Sequence, residues 1–268
     1  LQQAGFPGKV WAVNRKGYAT VFDQPCVSRI KELPETPDLA VVCTPVETLP
    51  KVISRLGRIG VRAALVLSSG AQLDQSVDDK GSIRERMLSA ARESGVRVLG
   101  PECMGLIVPG KRINASYSSQ PVKAGKVAYL GQSGMLGNAM IDWAAGRGIG
   151  FSHLVTLGDS VDVMLPDLID YINQYASTQA ILLHLERIHD AQHFMTALRD
   201  ASRNRLVLAI KSGRTHESDL TNMPPTPGIT NRDIVFDAAF SRAGVVRVND
   251  SDELSDALMT LSRMRPLK

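Results

Sequence analysis

Short apolar runs alternate with helix-like patterns along the whole chain. Runs at 10–13, 39–43, 63–67, 96–99, 127–130, 152–156, 180–185, 206–210 and 245–248 predict buried strands. Between most of them, apolar residues recur at helical spacing, predicting helices over 46–59, 83–93, 135–147, 165–175, 191–201, 234–242 and 253–264. Unbroken apolar strands bracketed by helices imply mostly parallel sheets covered on both faces, so the fold class is α/β. The tract 114–119 is polar and small, and Gln120, Pro121 and Gly125 then lead into a fresh strand. A domain boundary is expected there, dividing the chain into 1–120 and 121–268. The second part carries about five strand–helix units, as a flavodoxin-like domain does. The first carries about four strands, one short of a Rossmann-like domain and without a phosphate turn at its start. Gly5 and Gly8 read as helix-stop and loop residues, and the chain does not open on Met, so a segment is expected before Leu1.

Composition narrows the class. A chain of 268 residues has room for about two domains and for a core without disulfides. With 44 % hydrophobic and 22 % charged residues it is not disordered, collagen-like or a disulfide framework. No apolar run approaches the ~20 residues of a membrane span, and Leu1 to Gly5 do not read as a signal peptide. The net charge of +4 suits an anionic ligand, but the cations are scattered, so nucleic-acid binding is not expected. Cys26, Cys43 and Cys103 form no CxxC pair, which implies reduced packing thiols and a cytoplasmic setting.

Open α/β sheets bind ligands beyond the carboxyl ends of their strands. In the first half those positions hold Asn14, Lys16, Thr44, Pro45, Ser68, Ser69, Gly70 and Pro101, a small, polar, mildly basic rim. A phosphate-rich ligand fits it; ordinary turn chemistry explains the same residues equally well. In the second half Gly131-Gln132-Ser133-Gly134 precede a helix whose first amides and dipole favour an anion. The spacing matches neither the dinucleotide fingerprint nor the P-loop. Lys211 and Arg214 add cations to that edge, and Glu186 ends a strand beside it. His153 and His184 fall inside strands and read as packed. His189 and His193 have a metal-like spacing without a third ligand, and His216 lies in a polar loop.

At Gly100-Pro101-Glu102-Cys103-Met104-Gly105, at Gly131 to Gly134 and at Ile141 to Ser152 the sequence resembles the NDP-forming acyl-CoA synthetase superfamily, which includes succinyl-CoA synthetase α chains. That resemblance covers essentially the whole chain. It implies a truncated CoA-binding domain followed by a succinyl-CoA-ligase-type flavodoxin-like domain. It also implies that Asn14, Lys16, Thr44, Pro45, Ser68, Ser69, Gly70 and Pro101 contact CoA or acetyl-CoA. Gln132, Ser133, Gly134, Lys211 and Arg214 would line the anion site, and Glu186 would match the partner of a phosphorylated histidine. Two departures stand out. Glu102 replaces the usual Asn, and the histidine segment corresponds to Pro224-Pro225-Thr226-Pro227, with Pro225 where the histidine would be. Proline has no nucleophile to phosphorylate. The Ser202-Arg203-Asn204, 211–214 and 261–267 segments further resemble the Pat-type bacterial protein lysine acetyltransferases. On that reading the chain is a regulatory CoA- or acetyl-CoA-binding region, weak in affinity without the family's glycine turn. Its partners would be downstream acetyltransferase and ATP-grasp-like domains of a parent chain. The alternative is the α-type part of an active synthetase, and a third possibility is a redox or nucleotide protein sharing only the architecture. No metal is implied. An anion or water, rather than the proline loop, is expected against Ser133 and Gly134.

Overall fold

The structure, a computed structural model, describes residues 1–70, 73, 74, 81–212 and 232–263. Strands β1 (Ala12–Val13), β2 (Thr20–Val21) and β3 (Gln24–Val27) form a small sheet in the order β1-β3-β2. Strands β4 (Leu39–Val42), β5 (Ala63–Val66) and β6 (Arg97–Leu99) form a parallel sheet in chain order. The largest sheet has seven strands: β7 (Gly105–Val108), β8 (Ile113–Ser116), β9 (Ala124–Gly131), β10 (Phe151–Thr156), β11 (Ala180–Leu185), β12 (Leu206–Lys211) and β13 (Val246–Val248). Its order is β13-β12-β11-β9-β10-β7-β8, so the five parallel strands β9 to β13 follow the flavodoxin-like arrangement. The helices are α1 (Leu49–Arg58), α2 (Ile83–Ser94), α3 (Gly134–Ala145), α4 (Leu165–Asn173), α5 (Ala191–Ser202), α6 (Arg232–Ala243) and α7 (Ser251–Arg263).

Local chemistry explains the element ends. Ser82 accepts the Glu85 amide while Glu85 returns to the Ser82 amide, a capping box that starts α2, and Gly95 ends it at φ 67°. Asp190 caps α5 through the His193 amide. Along β10 and β11 every residue is buried, including the polar Ser152, His153, Thr156 and His184 that interrupt their apolar runs.

Several expectations change. The run 10–13 yields only a two-residue strand, parallel to β3 and outside the larger sheets. β2, β3, β7 and β8 carry no apolar run long enough to have been read as strands. β7 and β8 join the seven-stranded sheet antiparallel, so residues 105–116 pair with the second half although they precede residue 120. The helix expected at 46–59 opens as a tight turn, Val46–Thr48, before α1 takes over with Pro50 in its first turn. Of the cysteines only Cys103 is buried; Cys26 is half-buried and Cys43 exposed, so packing does not account for all of them.

The segment between β10 and α4 runs along the β6 edge. Val163 N donates to Val98 O, Val161 N to Gly100 O and Asp159 N to Pro101 O, at 2.9–3.2 Å. The Asp162 carboxylate accepts from Val98 N at 2.8 Å and Arg97 Nε at 3.0 Å. Apolar residues from both sides, Leu65, Leu99 and Cys103 with Leu130, Leu157 and Leu183, share one core.

Candidate functional site

The ends of β4, β5 and β6 build the first rim. Ser68 Oγ donates to Thr44 O at 2.5 Å, and Thr48 Oγ1 donates to Pro45 O at 2.7 Å. The first bond ties the turns after β4 and β5 together, and the second closes the turn after β4 on itself. Gly100 and Pro101 follow β6. Beyond them the Glu102 amide donates to Ser68 O, while the Gly70 amide donates to Glu102 Oε1 at 2.9 Å. Thr44, Pro45, Ser68, Ser69, Gly70 and Pro101 therefore belong to one strand-end rim. Asn14 and Lys16 lie on the turn after β1, where Asn14 Oδ1 accepts the Lys16 amide at 2.9 Å.

The second rim is the β9–α3 turn. Ser133 caps α3, its Oγ accepting the Leu136 amide at 3.3 Å, which leaves Gly134 and Met135 at the open end of the helix. Gln132 is engaged elsewhere: its Oε1 accepts the amides of Glu186 and Arg187, and its Nε2 donates to Arg187 O. It is the strut between the β9 and β11 ends, and it holds Glu186 exposed beside the turn. Lys211 ends β12 on the same edge. Gly213, Arg214, His216 and the 224–227 segment with Pro225 lie outside the described residues.

The two rims meet. Thr156 Oγ1, buried at the end of β10, accepts the amides of Met104 at 2.7 Å and Gly105 at 3.2 Å. A Cβ on Gly134 would lie 3.1 Å from Met104 N and 2.9 Å from Tyr117 Oη, so the loop after β6 abuts the start of α3. Thr156 and Tyr117 make this junction, and neither carries a sequence signal; one reads as a strand residue and the other as part of a polar tract.

Beneath the second rim, His184 Nε2 lies 2.7 Å from Ser212 Oγ. Burial, reinforced by Lys211, pushes its imidazole down to about 4 and keeps it neutral. Among the described residues, His184 Nδ1 and Tyr129 Oη are buried without hydrogen-bond partners. Burial pushes the Tyr129 phenol up, with a smaller contribution from the Glu186 carboxylate. Cys103 donates to Val66 O, and burial raises its thiol to about 12, so it is not a nucleophile. His193 pairs with Asp170 at 2.9 Å, and among the described residues no cluster suits a metal.

Residues 124–261 match the family model of the succinyl-CoA ligase like flavodoxin domain, and residues 1–109 match that of a CoA binding domain. The chain belongs to the succinyl-CoA ligase-like family. Its CoA-binding domain lies ahead of the flavodoxin-like one, the domain order of the α-type region of the NDP-forming acyl-CoA synthetases to which it is similar. The succinyl-CoA ligase-like chain is 28 % identical to the α subunit of acetate–CoA ligase [ADP-forming] I from Pyrococcus furiosus, over 98 % of this chain and 57 % of that protein. It is 29 % identical to acetate–CoA ligase [ADP-forming] I from Archaeoglobus fulgidus, over 97 % of this chain and 38 % of that protein. The solved dinucleotide-forming acetyl-coenzyme A synthetase 1 of Ca. Korarchaeum cryptofilum, in complex with phosphate and ADP, superposes with a TM-score of 0.88 at 28 % identity. That match covers 98 % of this chain and 56 % of the other. The chain thus spans between about two fifths and three fifths of these relatives. All three are acyl-CoA-forming enzymes by name, and none is an acetyltransferase acting on protein. Among the described residues no helix is long and apolar enough to cross a membrane.

Proposed function

We propose that this chain is the CoA-binding, α-type part of an NDP-forming acyl-CoA synthetase assembly, acting in acyl transfer between an acyl phosphate and CoA. One observation carries this reading: the loop after β6 borders both rims, through Pro101 and Glu102 on one side and Met104 against Gly134 on the other. A thiol held on the first rim would lie beside an acyl phosphate whose anionic end faces the open turn of α3. The thiolate attacks the acyl carbon, the C–S bond forms, the C–O bond to phosphate breaks, and phosphate leaves. The Gly134 and Met135 amides favour the negative charge of the leaving phosphate. Phosphoryl exchange with a nucleotide has to use a group outside position 225, because Pro225 offers no nucleophile. An ATP-grasp-type partner is the natural source of that step.

Pro225 also favours a second reading, the regulatory acyl-CoA-binding region of a protein lysine acetyltransferase. Acetyl phosphate and CoA separate the two. Formation of acetyl-CoA by the chain, lost in Gly134→Val, supports the ligase reading. Acetyl-CoA binding without turnover supports the regulatory one. Acid-labile phosphate on the chain after incubation with labelled ATP and an ATP-grasp partner would show that a residue other than Pro225 carries the phosphoryl group, and would overturn the regulatory reading.

A further inference from the structure

We propose that Glu102 is an internal anion seated on the first rim, and that it weakens the binding of phosphate-bearing CoA there relative to uncharged pantetheine. This rests on the reading of that rim as a CoA site. The Gly70 amide, which a strand-end ligand would otherwise meet, donates to Glu102 Oε1 at 2.9 Å. The Glu102 amide in turn donates to Ser68 O at 3.0 Å, so the residue clamps the 68–70 turn from both its backbone and its side chain. Gly70 packs closely on Val46, since a Cβ there would lie 2.8 Å from Val46 Cγ2. Glu102 reaches this position with φ at 60°, a left-handed backbone that favours glycine and asparagine over a longer side chain. Glu102 is exposed to solvent at this rim.

Among the described residues, the surroundings do not cancel this charge. Arg84, a guanidinium that feels it, is bound to Asp74 at 2.5 and 3.3 Å, to Asp159 O at 3.1 Å and to the Asp159 carboxylate at 3.5 Å. Burial pulls the Asp159 carboxyl up, Arg84 pulls it down, and Glu102 and Asp74 push it up again. Asp159 thus feels both Glu102 and Asp74 beside the rim, against Arg84 and Arg187. A phosphate entering here adds like charge to a site where, among the described residues, carboxylates act on Asp159 alongside two guanidinium groups. The neutral pantetheine arm of CoA carries no such penalty.

Glu102→Gln keeps an acceptor for the Gly70 amide and removes the charge. Calorimetry with CoA and with pantetheine, on the 268-residue chain and on this variant, tests the proposal. We expect CoA to bind roughly three- to tenfold more tightly to Glu102→Gln, with pantetheine unchanged. The gain should shrink between about 0.05 and 0.5 M salt. Glu102→Asn, which suits a left-handed backbone, provides a second neutral variant with the same expected gain should the first fold poorly. Equal CoA affinity with and without the charge, or an equal gain for pantetheine, overturns the proposal and leaves the CoA reading intact. If neither the chain nor its variants bind CoA at millimolar concentration, the CoA reading of the rim falls and this inference with it.

Discussion

His184 and Glu102 illustrate how two single residues acquire their chemistry from opposite surroundings. His184 is sealed in β11, and its pKa falls from 6.5 in the unfolded chain to about 4 in the folded one. Between those values the unfolded state binds more protons, so stability is complete above about pH 6.5 and is lost as pH falls toward 4. The shift corresponds to at most about 3 kcal/mol. Urea denaturation of the wild type and of His184→Gln across this range should therefore give curves that converge as pH falls. His153 is shifted the same way by burial, so only the difference between the two proteins reports on His184. Parallel curves would mean that water reaches the imidazole. Glu102, in contrast, stays exposed, and its charge matters for what arrives from solvent rather than for folding.

At the scale of elements, α3 shows how a functional turn is kept in shape. Ser133 supplies the cap, Gln132 ties the turn to the end of β11, and Gly131 leaves room above Tyr129. A Cβ on Gly131 would lie 2.5 Å from Tyr129 Oη, so this position tolerates no side chain unless the phenol moves. Ser133→Ala should cost about 1 kcal/mol in stability, from loss of the bond to the Leu136 amide. It should also lower the rate of acetyl-CoA formation from acetyl phosphate, because the frayed first turn no longer presents its amides together. An unchanged rate in a destabilised variant would separate capping from catalysis.

Across the whole molecule, the halves are held by main-chain bonds rather than by side-chain contacts alone. The segment following β10 pairs along β6, and Thr156 gathers two amides from the loop that borders both rims. Thr156→Val keeps the shape and leaves those buried amides without an acceptor. It should destabilise the chain by about 2–4 kcal/mol, measured by urea denaturation. It should also loosen hydrogen-exchange protection at Met104 and Gly105 before that of β9 and β11. A loss spread evenly over the sheet would show that the junction is not a separate unit.

The alternation of apolar strands and helical patterns, read along the chain, determined the α/β class and the parallel run β9 to β13. Burial on both faces leaves a largely apolar signature in the sequence. The strand-end candidates Thr44, Ser68, Gly70, Ser133 and Glu186 were legible for a related reason, since turns after buried strands need small and polar residues wherever they occur. The strands β2, β3, β7 and β8 escaped, because each is at most four residues long and glycine, proline or polar residues interrupt its apolar pattern. Gln132 read as a ligand donor and emerged as a strut, because its partners lie more than 50 residues away. The contact of Met104 with Gly134, the two amides on Thr156 and the seat of Glu102 on Gly70 depend on long-range hydrogen bonds and close packing. No local pattern encodes those; the folded chain brings them together.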